Sequence, residues 1–299
     1  KKILIHTVTN DLTYDQRMIR ICTSLAKYGY RVILVGRKRR NSKPLESYLF
    51  DQKRLKCWFD NGFLFYAEFN IRLFLYLWKT KFDVVSAIDL DTILPALFIG
   101  RWKKKKVVYD AHEYFTEVPE VIRRPRVKKI WDKVADYAIP KVDAAYTVGQ
   151  NLAKIFCEKY GTDFKVIRNV PLGIKNDKEV EKNGANNFVL EKKKTADLST
   201  GIILYQGALN EGRGLEQCIE AMTMIDHAVL WLAGEGDLSQ KLRKLVVEFK
   251  VADKVAFLGY IKPNELKKIT AQATIGLNLL EHNGLSYYYS LANKAFDYI

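Results

Sequence analysis

Glycine and proline are scarce in this sequence, with 17 glycines and 7 prolines among 299 residues. A disordered or low-complexity chain would be richer in both and poorer in apolar residues, which make up 48% here. The length allows a sizeable core and favours two domains over one. The composition therefore predicts an ordinary globular protein.

Cysteine is also rare, and the four cysteines are too scattered for a redox or zinc motif, which needs close partners. They are Cys22, Cys57, Cys157 and Cys218. Cys22 and Cys157 fall on the apolar faces of predicted helices and are interpreted as small core residues. A chain without a disulfide pattern favours a reducing, cytoplasmic location.

A membrane-spanning segment is absent, and KKILIHTV at the N-terminus leads into strand-like alternation rather than a signal peptide. The most apolar stretch, residues 63–78, is interrupted by Glu68, Asn70 and Arg72. Two interpretations of this stretch are open. We favour a helix packed in a core over an amphipathic helix lying on a bilayer.

Acidic residues are outnumbered, 34 against 49 basic ones, which gives a net charge of +15. The excess is clustered in residues 37–40, 101–106 and 123–129. Such clusters suit nucleic acid, anionic lipid or a phosphate-rich substrate, and solvated loops are the simplest alternative. We expect residues 37–40 and 103–106 to meet a lipid-diphosphate acceptor at the inner face of a membrane.

Strand-like runs recur along the chain, and amphipathic helices separate many of them. In the helix predicted for residues 15–28, Met18, Ile21, Cys22 and Leu25 share one face, and Gly29 ends it. Apolar strands alternating with such helices predict parallel sheets covered on both faces. The strands are KKILIHTV, RVILVG, FDVVSAI, KVVYDA, DAAYTV and FKVIRNV in a first series, and GIILYQG, AVLWLAG, KVAFLG and TIGLNLL in a second.

The two series predict an α/β protein of two doubly wound, Rossmann-like domains. We expect an N-terminal domain over residues 1–172, a polar linker over 173–200 and a C-terminal domain over 201–299. The second series has fewer strands, and the chain stops at AFDYI without a helix cap. We therefore expect the second domain to be incomplete at its C-terminus.

The loops after the strands are where ligands bind in such sheets. The loop after the first strand, residues 9–17, has no glycine, which argues against a dinucleotide oxidoreductase. Asp15 in this loop is either a helix cap or a functional residue, and Arg17 is expected to face a ligand phosphate. His112 and Glu113 follow the fourth strand, and we favour a histidine that contacts a sugar or relays protons over a buried structural histidine.

Asp89 and Asp91 form a D-x-D after the third strand. This spacing occurs in metal-binding transferases, but no further ligand is near in sequence, so we favour a capping or rim role.

Glycine-rich turns follow two strands of the second series. ILYQGALNEGRGLE contains Gly207 and Arg213, and LAGEGDL contains Gly234 and Glu235. Glycines permit tight turns before a helix, and the Arg213 guanidinium suits a diphosphate.

The order of these motifs, over almost the whole chain, resembles the GT-B glycosyltransferases of family 4. EHNGLSYYYSLANKAFDYI is similar to the segment in which that family's turn enters a helix bearing a carboxylate. The resemblance implies that Ser290, Asn293 and Lys294 contact the donor diphosphate and that Asp297 contacts the ribose. YQGALNEGRG resembles the family's phosphate loop, although Ala208 stands at its usual arginine position. Tyr289 replaces the first carboxylate of the family's pair.

NDLTYDQRMIRICTSLAKYGYRVILVGR and DAHEYFTEVPE resemble a subgroup associated with bacterial surface polysaccharides. This implies acceptor-side roles for Asp15, Arg17, His112 and Glu113 in the N-terminal domain, and donor-side roles for Gly207, Arg213, Gly234 and Glu235 in the other.

The implied reaction is retaining transfer of a hexosyl group from a nucleoside-diphosphate sugar to a glycan or lipid-linked acceptor. His112, Arg213 and Lys294 would be catalytic, with no metal and no cofactor. Two alternatives remain, a nucleotide-sugar epimerase with the same fold and a non-enzymatic nucleic-acid binder. The second lacks any recognisable nucleic-acid-binding motif.

Overall fold

The computed structural model describes residues 1–13, 15–170, 201–282, 284–290 and 292–298. The chain separates into two compact units. Unit 1 consists of Lys1–Asn169 and Gly284–Ser290, and unit 2 of Val170–Asn283 and Leu291–Ile299. The linker predicted for residues 173–200 lies outside the described residues. The segment Gly284–Ser290 groups with unit 1, whereas the sequence prediction assigned it to the second domain.

Unit 1 is built on a sheet of seven parallel strands in the order β3-β2-β1-β4-β5-β6-β7. Near-continuous apolar runs form most of these strands because both faces of the sheet are covered. The strands are β1 Ile3–Thr7, β2 Arg31–Lys38, β3 Asp51–Lys56, β4 Val84–Ile88, β5 Lys106–Ala111, β6 Ala144–Thr147 and β7 Phe164–Val166.

Helices cover both faces of this sheet. Alternate side chains of β2 show the two layers: Ile33 and Val35 join the larger core, whereas Val32 and Leu34 pack with the α1 side chains of the other core. Helices α2, α3, α5 and α6 contribute to the larger core. The helices are α1 Gln16–Lys27, α2 Gly62–Lys79, α3 Ile93–Trp102, α4 Pro119–Ile122, α5 Pro125–Ala138 and α6 Gln150–Tyr160.

Helix α2 contains the apolar stretch for which core packing was the favoured interpretation. That interpretation is correct for one face only, which consists of Phe65, Phe69, Leu73 and Leu77 at a spacing of four. Four apolar side chains lie on the opposite side of the helix and are exposed: Leu64, Ile71, Leu75 and Trp78. No helix of the described residues is long and apolar enough to span a bilayer.

Strand β3 was not predicted from the sequence. Its residues, DQKRLK, are mostly charged and lie at the edge of the sheet, where one side of the strand is unpaired. Charged side chains on an edge strand oppose pairing with other molecules. They also remove the apolar alternation by which a strand is recognised.

Unit 2 contains a parallel sheet of four described strands in the order β10-β9-β8-β11. Its core is formed by apolar side chains of the strands and of the helices α7 and α8. The strands are β8 Gly201–Gln206, β9 Ala228–Ala233, β10 Val255–Gly259 and β11 Ile275–Gly276. The remaining helices are α7 Leu215–Ala221, α8 Ser239–Glu248, α9 Pro263–Thr270, α10 Leu285–Tyr288, which groups with unit 1, and α11 Asn293–Asp297.

Candidate functional site

Each sheet has one point at which the strand order reverses. In unit 1 this point lies between β1 and β4, and in unit 2 it lies between β8 and β11. The loops that follow neighbouring strands diverge there and leave a crevice beyond the carboxyl ends of the strands. The two candidate sites are therefore the loops around these reversal points.

A cavity of about 210 Å³ lies at the reversal point of unit 1. Three of the four predicted acceptor-side residues, Asp15, Arg17 and His112, line it together with Asp89 and Asp91. The fourth, Glu113, follows His112 and lies close enough to Asp89 to raise the pKa of that carboxyl. The structure thus gathers residues from three separate loops around one opening.

Arg17 differs from the sequence expectation, because its guanidinium is already bound within the protein. Its two terminal nitrogens donate to the two carboxylate oxygens of Asp110, at 2.6 and 2.7 Å, and both side chains are buried. Burial alone would lower the pKa of Arg17, but the charge and hydrogen bonds of Asp110 outweigh burial and raise it. Arg17 therefore holds α1 to β5, and we correct its expected role as a phosphate ligand.

Asp15 is the N-cap of α1. One carboxylate oxygen accepts a hydrogen bond from the Met18 amide at 2.9 Å, and the other accepts from Asn10 Nδ2 at 2.6 Å. The cap satisfies an amide that has no partner within the helix. Of the two interpretations left open for Asp15, the structure supports the cap, and the residue also lines the cavity.

Asp89 and Asp91 do not use their side chains to cap a helix, which corrects the capping prediction. Asp91 is buried and accepts a hydrogen bond from Thr9 Oγ1 at 2.5 Å. Burial raises its pKa to about 6. Within the described ranges, no three His, Cys, Asp or Glu side chains converge as a metal site would require.

Asp89 has an unusual backbone conformation, with φ at 59° and ψ at 174°. Only glycine adopts this region readily, so the conformation costs about 1–3 kcal/mol. Burial and the nearby Glu113 raise the pKa of the Asp89 carboxyl, which accepts from the His112 amide at 3.0 Å. Backbone strain of this kind concentrates at ligand sites, and here it lies on the cavity wall.

His112 is an exposed residue at the rim of this cavity. Neighbouring protein atoms and the Arg17 charge lower the pKa of its imidazole, so the ring is neutral at pH 7. A neutral imidazole accepts or donates a hydrogen bond and can take up a proton.

Two residues of the unit 1 site were missed in the sequence. Asp110 is the partner of Arg17, and its signal was a carboxylate inside an otherwise apolar strand. His6 is buried at the end of β1, and neither ring nitrogen has a hydrogen bond to a described residue. Desolvation by burial lowers the pKa of His6 to about 4.

The site of unit 2 brings two predicted donor-side cations together beside the turn after β8. The Lys294 ammonium lies 3.8 Å from the centre of the Tyr205 ring and has no hydrogen bond to a described residue. Burial and the charge of Arg213 lower the pKa of Lys294 to about 7. At Gly207 a β-carbon would lie 3.7 Å from Lys294 Nζ, so the ammonium lies directly beside this turn.

Gly234 and Glu235 follow the neighbouring strand, β9. Gly234 has φ at 148°, and a β-carbon there would overlap the carbonyl oxygen of Gly207. Its lack of a side chain thus allows the two strand ends to approach. Glu235 is exposed, and its carboxylate lies 3.5 Å from Arg243 Nη2.

The remaining predicted donor residues lie at the end of the chain. Asp297 is exposed on α11 and accepts from Gln206 Nε2 at 3.2 Å. Ser290 is exposed and groups with unit 1. The side chain of Asn293 lies outside what the structure describes. Helix α11 has only five residues, so positive charge here comes from Lys294 and not from a long helix dipole.

In two of the basic clusters, residues 37–40 and 101–106, some side chains bind within the protein and are not free surface charges. Arg37 is buried, donates to the Asp60 carbonyl at 2.7 Å and stacks 4.1 Å from the centre of the Phe65 ring, so it is not a surface charge. Lys103 closes the end of α2 by donating to three carbonyl oxygens. Lys106 begins β5 and so lies at the end of the strands opposite the cavity lined by His112. Residues 103–106 thus lie away from this cavity, and their expected contact with a lipid-diphosphate acceptor at a membrane stays a prediction.

Sequence comparison relates both units to known families. The profile described as glycosyltransferase family 4 matches residues 16–178, which is more than half of the chain. The profile described as glycosyl transferases group 1 matches residues 186–291. The uncharacterized glycosyltransferase MJ1607 of Methanocaldococcus jannaschii is 30% identical over 138 residues, or 43% of this chain. The match spans only 34% of that relative.

Solved structures share the fold at low identity. A sucrose-phosphate synthase from Thermosynechococcus elongatus aligns over 100% of this chain and 79% of its own, with a TM-score of 0.71 and 15% identity. Anabaena HepE, solved in complex with UDP-glucose, aligns over 92% of this chain and 73% of its own, with a TM-score of 0.68 and 13% identity. With its two Rossmann-like units and the matching family profiles, the chain belongs to the family 4 glycosyltransferases of the GT-B fold.

Proposed function

We propose that this protein is a retaining glycosyltransferase that moves a hexosyl group from a nucleoside-diphosphate sugar to a glycan or lipid-linked acceptor in surface-polysaccharide synthesis. The observation that carries the proposal is the pair of cations, Lys294 and Arg213, beside the turn at Gly207. Family membership makes a sugar nucleotide the expected ligand of this pair.

Lys294 supports a diphosphate role because its ammonium lies in an environment that disfavours positive charge. Burial and the Arg213 charge lower its pKa to about 7. The negative charge of a bound diphosphate would offset both effects and raise the pKa again. The leaving group gains charge in the transition state, so a cation held close to it accelerates the reaction. We assign Lys294 and Arg213 to this role, Ser290 and Asn293 to further contacts with the diphosphate, and Asp297 to the ribose.

The acceptor is proposed to bind at the cavity of unit 1. Strained backbone at Asp89 and a neutral imidazole at His112 support this role, because both are features of ligand sites. The neutral imidazole of His112 can accept a hydrogen bond from an acceptor hydroxyl at pH 7. No metal or cofactor is part of the proposal.

The donor assignment is tested by calorimetric titration with UDP, GDP, ADP, dTDP and CMP, beginning with UDP. We expect one diphosphate to bind and to take up about one proton at pH 8, because Lys294 regains its charge in the complex. HEPES and Tris differ in their heats of ionisation, so the difference between the binding heats measured in the two buffers gives the number of protons taken up. Affinity should fall about tenfold per pH unit above pH 7, where the free lysine is neutral.

The variant Lys294→Met keeps the length and apolar contacts of the side chain but lacks the charge. It should abolish the proton uptake and weaken diphosphate binding at pH 7, whereas the exposed Lys268→Met should change neither. Diphosphate binding that is unchanged in Lys294→Met would refute the donor site.

Stereochemistry separates the proposed reaction from its alternatives. With the donor identified and an acceptor supplied, proton NMR should show the anomeric configuration of the donor in the product. Inverted product would contradict the retaining mechanism. Inversion at the sugar C2 without an acceptor would identify an epimerase instead.

A further inference from the structure

The outer surface of three neighbouring helices in unit 1 is apolar, although it faces solvent. We call this surface the outer face, and it consists of eight exposed side chains. Trp102 is 62% exposed, Ile71 62% and Trp78 48%. The full set is Leu64, Ile71, Leu75 and Trp78 on α2, Phe98 and Trp102 on α3, and Ile130 and Tyr137 on α5.

These side chains form one continuous surface. The rings of Trp78 and Trp102 contact each other across α2 and α3, with centroids 5.6 Å apart. The rings of Phe98 and Tyr137 contact across α3 and α5 at 6.2 Å. The inner sides of the same helices share one core, so the three helices form a single layer.

Packing within unit 1 does not account for this surface. A helix at a protein surface normally carries polar side chains opposite its buried stripe, whereas α2 is apolar on both sides. Contiguous apolar patches on soluble proteins mark contact with another molecule or a membrane. The outer face also lies apart from the residues that line the cavity of about 210 Å³, which belong to the loops after β1, β4 and β5.

Positive charge surrounds the outer face. The segments that form it, residues 62–79, 93–106 and 125–141, contain twelve lysines and arginines but only three acidic residues. One of the three, Glu68, is held by Arg72 and by the amides of Trp58 and Phe59. The outer face therefore combines aromatic and aliphatic side chains with a strong local excess of positive charge.

A basic cavity of about 460 Å³ adjoins one end of this layer. Arg101 and Lys104 lie beside the last turn of α3, and Lys141 follows α5 with its ammonium 3.2 Å from the centre of the Tyr137 ring. The cavity is thus in contact with the outer face through Tyr137. Its charged lining consists of Arg101, Lys104, Lys105, Lys106 and Lys141, with Asp143 as the acidic member.

We propose that the outer face of α2, α3 and α5 docks on an anionic lipid bilayer and that the basic cavity receives a phosphate head group. Aromatic and aliphatic side chains enter the boundary between head groups and acyl chains, while lysines and arginines beside them attract anionic lipid. A second copy of this chain is a poor occupant, because the same face would bring equal positive charge against itself. The proposal gives the protein a defined surface for reaching a lipid-linked acceptor in a membrane, and in that respect it rests on the proposed function.

The apolar part is tested by co-sedimentation of the full chain with vesicles of phosphatidylcholine alone or with one third phosphatidylglycerol. The wild type should bind the anionic vesicles and not the neutral ones. Trp78→Ser with Trp102→Ser should weaken this binding by at least roughly tenfold, because two side chains that enter the boundary region are lost. The control is Met224→Ser with Val247→Ser, two apolar residues of unit 2 that are even more exposed than the tryptophans and should leave binding unchanged.

The basic part is tested with Lys104→Gln and Lys106→Gln, alone and together. Each change should weaken binding to the anionic vesicles by roughly fivefold at low salt, and the effect should shrink as salt is added. Lys267→Gln with Lys268→Gln is the control, because both lysines are exposed on α9 of unit 2. If both lysine pairs lost the same amount of vesicle binding, net charge alone would explain the effect, and the assignment of the cavity would be overturned.

Two further outcomes would overturn the docking surface. One is wild-type protein that binds neutral and anionic vesicles equally or binds neither. The other is a wild-type dimer in sedimentation velocity that Trp78→Ser with Trp102→Ser converts to a monomer, since a second copy would then cover the face. Diphosphate titration of the same variants separates this proposal from the proposed function: donor binding should be unchanged in all of them.

Discussion

The buried pair of Arg17 and Asp110 allows the sharpest test of how unit 1 is held together. Asp110 has a side chain with no exposed surface, and the Arg17 side chain is 7% exposed. Replacing Asp110 with alanine would leave a guanidinium charge buried without its two hydrogen-bond acceptors.

The expected cost follows from the geometry of the pair. Removal of one partner from a buried, hydrogen-bonded ion pair destabilises a protein by about 3–5 kcal/mol. For a unit of this size, that loss lowers the melting temperature by about 6–20 °C. Replacement of both partners by apolar residues, as in Arg17→Met with Asp110→Leu, should recover most of the loss because no buried charge remains.

Urea unfolding monitored by tryptophan fluorescence measures these differences. Four of the five tryptophans, Trp58, Trp78, Trp102 and Trp131, lie in unit 1, and Trp231 lies in unit 2. Measurements in a Trp231→Phe background therefore report on unit 1 alone.

Two results would refute the reasoning. A cost below about 1 kcal/mol for Asp110→Ala would mean that the pair is hydrated and behaves as a surface pair. A double variant as unstable as Asp110→Ala would mean that packing, and not an uncompensated charge, causes the loss. Either result would return Arg17 to consideration as a ligand-binding residue.

Two other predictions concern the two reversal points. Gly234→Ala should destabilise unit 2 by at least about 2 kcal/mol, because φ at 148° and the Gly207 carbonyl both exclude a β-carbon. Gly201→Ala, where a β-carbon makes only ordinary contacts, is the control, and equal urea midpoints for the two variants would contradict the prediction. Asp91 has a pKa raised to about 6, so the folded state binds its proton more tightly than the unfolded state and loses stability as the pH rises from about 4 to 6. Asp91→Asn should therefore gain stability relative to wild type by about 2–3 kcal/mol between pH 4 and pH 7, and a difference that does not vary with pH would contradict the shift.

Local patterns in the sequence were sufficient for most elements of the fold. Apolar runs and helical spacing depend on residues a few positions apart. All ten predicted strands therefore appear where they were expected, nine of them with three or more residues. Asp15 as a cap and Gly29 as a stop are equally local, because their partners lie within one helical turn. Strand β3 escaped prediction because charge on an edge strand removes the same local signal.

The site was predictable in its location but not in its pairings. Strand ends indicate where ligand-binding loops lie, and Lys294 and Arg213 were placed in the donor site on that basis together with the family resemblance. The bond between Arg17 and Asp110 joins residues 93 positions apart. Only the order of β1, β4 and β5 in the sheet brings α1 over the end of β5, and no spacing in the sequence encodes that order.

Helix α2 shows the same division between sequence and tertiary structure. Its composition determined that the segment is an apolar helix, but both of its faces are apolar, so periodicity could not indicate which one is buried. One face packs against the sheet and is buried, and it consists of Phe65, Phe69, Leu73 and Leu77. The apolar side chains of the opposite face remain exposed to solvent. Burial depends on which surfaces meet in three dimensions, and that is a property of the whole fold and not of any one segment.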